Sequence, residues 1–119
     1  MKDDRLYLIH ITESLARIEE YVRGGREEFV SSPVIQDAVL RNLQVLAEST
    51  QRLSDALKAQ HAQIDWRGIA GLRNVLVHEY LGVDVERVWG IVEHKLPALK
   101  EATTALLDHL GGPGDKPPS

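Results

Sequence analysis

Apolar side chains recur at intervals of three and four residues along almost the whole chain, and no stretch alternates with a period of two. Such spacing gathers apolar groups into one stripe of a helix and gives a sheet no face to bury, so it restricts the chain to helix-on-helix packing. The residue vocabulary agrees, since Leu, Val, Ile and Ala supply most of the apolar surface and aromatics make up only 5%. With 119 residues the chain suits one domain, and the core of so short a bundle is modest, so pairing with a second copy is a natural way to bury more surface. The expected fold is all-α: an antiparallel bundle of four main helices, homodimeric, with a helical domain over residues 1–110 and a disordered tail over 111–119.

The helices can be placed from their boundary signals. The first is expected from about Asp3 to Arg23, where Asp3 and Asp4 suit the positive end of its dipole and Gly24-Gly25 ends it. A polar connector with an embedded Phe29 follows. Ser32 then caps a second helix with Pro33 in its first turn, expected to run to about Lys58. After a loop at residues 61–64, Asp65 caps a third helix ending near Tyr80. Asp84 caps a fourth that Pro97 should kink or split near residues 94–96. The tail from Gly111 to Ser119 offers no apolar anchor.

Several function classes are excluded. The chain has no cysteine, hence no disulfide, thiolate metal site or cysteine nucleophile. His10, His61, His78, His94 and His109 include no i, i+4 pair and so form no helical metal pattern. No apolar run approaches the roughly 20 residues needed to cross a bilayer. The charged start MKDDRLYLIH is unlike a signal peptide, so the cytoplasm is the expected compartment. A net charge of −4 counts against a protein that coats nucleic acid. It leaves room for a local basic pocket.

The third helix holds the residues with chemistry. On a wheel at about 100° per residue with Arg73 at zero, Ile69, Leu72 and Leu76 fall between roughly 260° and 320° and should face the core. Arg67, Asn74 and His78 fall between roughly 100° and 140°, while Arg73, Val77 and Tyr80 lie within about 40° of zero. Two cationic groups, an amide, an imidazole and a phenol thus share the half of the helix turned from its own core. Gly68 and Gly71 add little bulk there and would admit another helix closely. Singly, Arg73 or His78 on a helix exterior is ordinarily a solvated side chain, and Tyr80 a packing residue with its hydroxyl in water.

The combination is more specific. Arg73-Asn74, three residues, His78, one residue, Tyr80, preceded by Trp66-Arg67-Gly68-Ile69-Ala70-Gly71-Leu72, resembles the signature of the HEPN superfamily. More narrowly it resembles the HepT family of toxins encoded beside a minimal nucleotidyltransferase antitoxin. The likeness extends in element order from about residue 3 to 110 and includes Arg41 to Ser49 and the pair Leu96-Pro97. One departure is Ala47-Glu48-Ser49, where the family commonly reads Gly-Glu-Ala; it bears on helix spacing rather than on chemistry.

The resemblance implies a metal-independent endoribonuclease that needs no cofactor, with Arg73 and His78 as the catalytic pair and Asn74 and Arg67 supporting substrate. An imidazole can move a proton near neutral pH, and a guanidinium can hold a phosphate with its fork of donors. Arg73 and His78 are five positions apart, roughly 140° around the axis, so one copy does not easily aim both at one spot. A homodimer about a two-fold through this helix would make a composite cleft. The resemblance further implies that the antitoxin transfers AMP to Tyr80 and so silences the toxin. Two other readings remain: a non-catalytic module that docks a nucleotidyltransferase and presents substrate, and a purely structural bundle.

Overall fold

The computed structural model describes residues 3–78 and 84–110, the side chains of 73–78 lying outside that description. Seven helices lie within those residues: α1 Asp4–Tyr21, α2 Arg26–Ser31, α3 Pro33–Gln51, α4 Asp55–Gln60, α5 Trp66–His78, α6 Val85–His94 and α7 Leu96–His109. The all-α expectation holds, and the proposed 111–119 tail lies outside the described residues.

Helix α3 is the centre of the bundle, with α1, α2 and α5 packed against it, while α7 packs on α1 and α6 on α7 and α2. Its buried residues explain this position. Val39, Asn42, Leu43, Leu46, Ala47, Ser49 and Thr50 cover an arc of roughly 160° at 100° per residue, wide enough for neighbours on both flanks. Leu8, Ile11, Leu15 and Ile18 form the matching stripe of α1, each 2% exposed or less. Each such side chain contributes about 1.5–3 kcal/mol when withdrawn from water.

Local chemistry sets the boundaries. Gly25 starts α2 at φ 94°, a left-handed conformation that a Cβ would strain. Phe29 anchors that short helix in the core at 1% exposure, so the stretch expected as a connector is helical. Gln36 Nε2 donates to the carbonyls of Phe29 (2.9 Å) and Val30 (3.0 Å) at its end. The Ser32 hydroxyl accepts from the Ile35 amide at 3.2 Å and caps α3 as expected.

The second expected helix is interrupted. Instead of running to Lys58, α3 ends at Gln51 and α4 begins at Asp55. The reason is a cap that competes with continuation: Ser54 Oγ accepts from the Leu57 amide at 3.2 Å and donates to Asp4 Oδ2 at 2.6 Å, while the Ser54 amide donates to Asp4 Oδ1 at 2.8 Å. The half-buried Asp4 therefore serves the start of α4 and ties the first turn of α1 to the end of α3, which makes those two helices antiparallel. Glu19 and Lys100, paired at 2.7 Å, join the last turns of α1 to the start of α7 in the same sense. At the other expected break the chain does split: Lys95 separates α6 from α7, and Pro97 sits in the first turn of α7, where its missing N–H costs nothing.

Two substitutions separate the two kinds of buried polar group. Asp4→Ala removes both acceptors from Ser54 and should cost about 1–3 kcal/mol in urea unfolding. Ser14 is wholly buried, and its Oγ has no hydrogen-bond partner. Ser14→Ala should therefore leave the unfolding midpoint unchanged or raise it, because an unpaired hydroxyl is desolvated for no return.

Candidate functional site

Helix α5 is built to start at a fixed point. The Asp65 Oδ1 accepts from the Gly68 amide at 3.0 Å, the cap expected from sequence. A Cβ at Gly68 would meet that carboxylate, so a larger residue there would make the Asp65 side chain shift. Lys95 Nζ approaches Asp65 Oδ2 at 3.7 Å, bringing the α6–α7 junction beside the same turn. The Trp66 indole N–H donates to the carbonyls of Lys58 (3.1 Å) and His61 (2.9 Å). Trp66 thus closes the carbonyl end of α4 and fixes where α5 departs, a role its place in the motif did not disclose.

The wheel is obeyed where the side chains are described. Ile69 and Leu72 are 3% and 5% exposed and face the core, whereas Arg67 is exposed. Gly71 lies on the same flank as Arg67, and a Cβ there would meet no atom of the described residues within 4 Å, so none of them covers this flank at its centre. Arg73, Asn74 and His78 occupy the remaining turns of α5; their side chains, and Tyr80 altogether, lie outside the described residues. The structure thus places Arg67, Arg73, Asn74 and His78 on one helix; the wheel sets Arg73 roughly 140° from His78, so their convergence stays an expectation that depends on a second copy.

Helix α6 is held by α2. Arg26 of α2 pairs with Glu86 of α6, and Phe29 stacks against Trp89 with ring centroids 5.5 Å apart. The hydrogen bond and charge of Glu86 raise the Arg26 guanidinium above its ordinary value, which leaves it charged at any working pH. Helix α5 rests on α3, and α6 rests on α2 and α7, so the helices on either side of residues 79–83 pack on different neighbours.

Charge singles out α5. It carries Arg67 and Arg73 and no acidic residue, whereas each of the other six described helices has at least as many acidic as basic side chains. Arg67 makes no ion pair with any described residue, unlike Arg23, Arg26, Lys95 and Lys100, each of which faces a carboxylate. In a chain of net charge −4, α5 is the only positive helix among those described, and like α6 and α7 it ends on a histidine. A helix of that composition can attract an anion despite the net charge of the chain, because the local field outweighs the total at close range.

A helical bundle with a basic, histidine-ended helix defines a class of small all-α proteins, and comparison with known sequences narrows it. Residues 11–106 match the family model described as ribonuclease HepT-like. A "putative RNase" of Caldanaerobacter subterraneus subsp. tengcongensis is 33% identical over 90% of this chain and 96% of its own length. A protein named "Probable ribonuclease HepT" of Thermococcus cleftensis is 37% identical over 79% of this chain and 86% of its own. A longer protein of Methanocaldococcus jannaschii, named "Gamma-glutamylcyclotransferase and putative RNase", is 34% identical over 92% of this chain, which spans 50% of that protein's length. No solved structure matches. The chain belongs to the HepT-like ribonuclease family of the HEPN type.

Proposed function

We propose that this chain is the toxin of a toxin–antitoxin pair, acting as a metal-independent endoribonuclease through Arg73 and His78. The supporting observation is α5 itself: a helix without acidic residues, with no described residue over Gly71, in a chain of the HepT-like ribonuclease family. His78 takes the proton of a ribose 2′-hydroxyl. The 2′-oxygen then forms a bond to phosphorus, the bond to the 5′-oxygen breaks, and that oxygen receives a proton. Arg73 offsets the charge that grows on the phosphoryl oxygens, and it stays protonated throughout. Asn74, one turn before His78, holds the imidazole or the substrate. Arg67, exposed and without an ion pair to any described residue, takes a flanking phosphate. The products are a 2′,3′-cyclic phosphate and a 5′-hydroxyl.

Two copies share each cleft, because positions 73 and 78 are roughly 140° apart around an ideal helix. A second copy supplies the missing group and doubles the local positive charge. Neutralisation acts at Tyr80, two residues beyond α5. A partner nucleotidyltransferase forms a bond between the tyrosine oxygen and the α-phosphorus of ATP, releasing pyrophosphate and leaving an anionic adduct beside the cations meant for RNA. No described helix is long and apolar enough to cross a membrane, and the working compartment we assign is the cytoplasm, where RNA is abundant.

The test is cleavage of RNA by the purified chain in excess EDTA. Cyclic-phosphate ends support the mechanism. RNA that is bound but left intact would make the chain a binding module instead.

A further inference from the structure

The outward face of α3 has a pattern that the bundle does not use. Val34, Ala38, Arg41, Val45, Glu48 and Arg52 follow one another at intervals of four, three, four, three and four, the spacing of a seam between two helices. Arg52 keeps helical geometry at φ −88°, ψ −5°, so the stripe extends one residue past the end of α3. Val34 is 77% exposed and Val45 39%, two of the four large apolar side chains that the described residues leave in water. Ala38 is half-buried, and Arg41, Glu48 and Arg52 are exposed. A stripe that mixes valine with both signs of charge does not suit a polyanion. It suits a helix bearing the same stripe in the opposite direction.

We infer that α3 pairs with α3 of a second copy, antiparallel, about a two-fold axis at Val45. The register follows from charge. With Val45 on its own symmetry mate, Arg41 comes level with Glu48 of the other copy, twice, and Ala38 comes level with Arg52. A carboxylate has two acceptor oxygens, so this contact adds to any other that Glu48 makes. Shifting the helices to bring Arg41 level with Val45 leaves every charge opposite an apolar side chain. Shifting them the other way stacks Glu48 on itself. A guanidinium–carboxylate pair repeated by symmetry selects the first arrangement over both.

This rests on the reading that two copies complete one site, and it names the surface that joins them. The axis then passes beside α3, on which α5 packs, rather than through α5 as the wheel alone suggested.

The chain has no cysteine, so single cysteines report the register cleanly. Val45→Cys should form a disulfide-linked dimer under mild oxidation, because the two Cα atoms at the axis come within the roughly 7 Å that a disulfide needs. Val34→Cys should stay at least tenfold less linked, since its own mate is roughly 33 Å away along the helices. Arg41→Glu should weaken the dimer at least tenfold in sedimentation, and adding Glu48→Arg should restore it. Linking at Val34 as fast as at Val45, or an Arg41→Glu dimer as tight as wild type, overturns the seam. The shared site is read separately, by mixing an Arg73 variant with a His78 variant. Restored cleavage without Val45 linking sinks the seam and keeps the site; linking without restoration does the reverse.

Discussion

His78→Ala is expected to slow RNA cleavage about 10²–10⁴-fold, the range a single proton-transfer group supplies. Arg73→Ala should cost about 10²–10³-fold, because it removes charge stabilisation from the phosphoryl oxygens and leaves the proton path intact. Arg73→Lys separates charge from geometry: a point charge without the planar fork should recover only part of the loss. The described core includes the α3 stripe and Ile69 and Leu72 of α5, and Arg73 and His78 are assigned no part in it. Circular dichroism and the unfolding midpoint should therefore match wild type while the cleavage rate collapses. Equal losses of stability and rate would instead mark the two residues as structural.

The second large effect concerns silencing. Tyr80→Phe should keep its nuclease and its toxicity yet resist the antitoxin, because phenylalanine lacks the oxygen that accepts AMP. Intact mass after coexpression with an active nucleotidyltransferase reads this directly. Wild type should gain one or more AMP units, and the variant none. Cleavage by the modified wild type should fall to the level of the His78 variant, since the adduct phosphate competes for the same cations as RNA. Wild-type protein recovered unmodified, or a Tyr80→Phe chain still neutralised, removes Tyr80 from the regulatory account.

The sequence made legible what depends on periodicity and on strong punctuation. The all-helical class, the Ser32, Asp65 and Asp84 caps and the split beside Pro97 each rest on a local signal, and each is present. The break between α3 and α4 was hidden because Leu46, Leu53 and Leu57 continue the apolar period straight through it. What ends α3 is a tertiary contact, Asp4 on Ser54, between residues fifty positions apart. Asp4 lies in the first turn of its own helix, as its dipole role requires, and it also serves the start of α4. Helix α2 was missed for a related reason, since six residues cannot show a helical period and only burial of Phe29 reveals that the segment packs. At the site, the orientation of Arg67 against Ile69 and Leu72 followed from the wheel. The structural duty of Trp66 did not, because its acceptors lie on the preceding helix.

The central claim is that α5 carries half of a nuclease site and that a second copy supplies the other half. The most direct measurement mixes Arg73→Ala with His78→Ala protein under conditions that allow subunits to exchange, then follows RNA cleavage in EDTA. A mixed dimer holds one intact Arg73 and one intact His78 in its cleft. The mixture should therefore cleave at least roughly tenfold faster than either variant alone and leave cyclic-phosphate ends. A mixture no more active than its parents, beside an active wild type, would contradict the account.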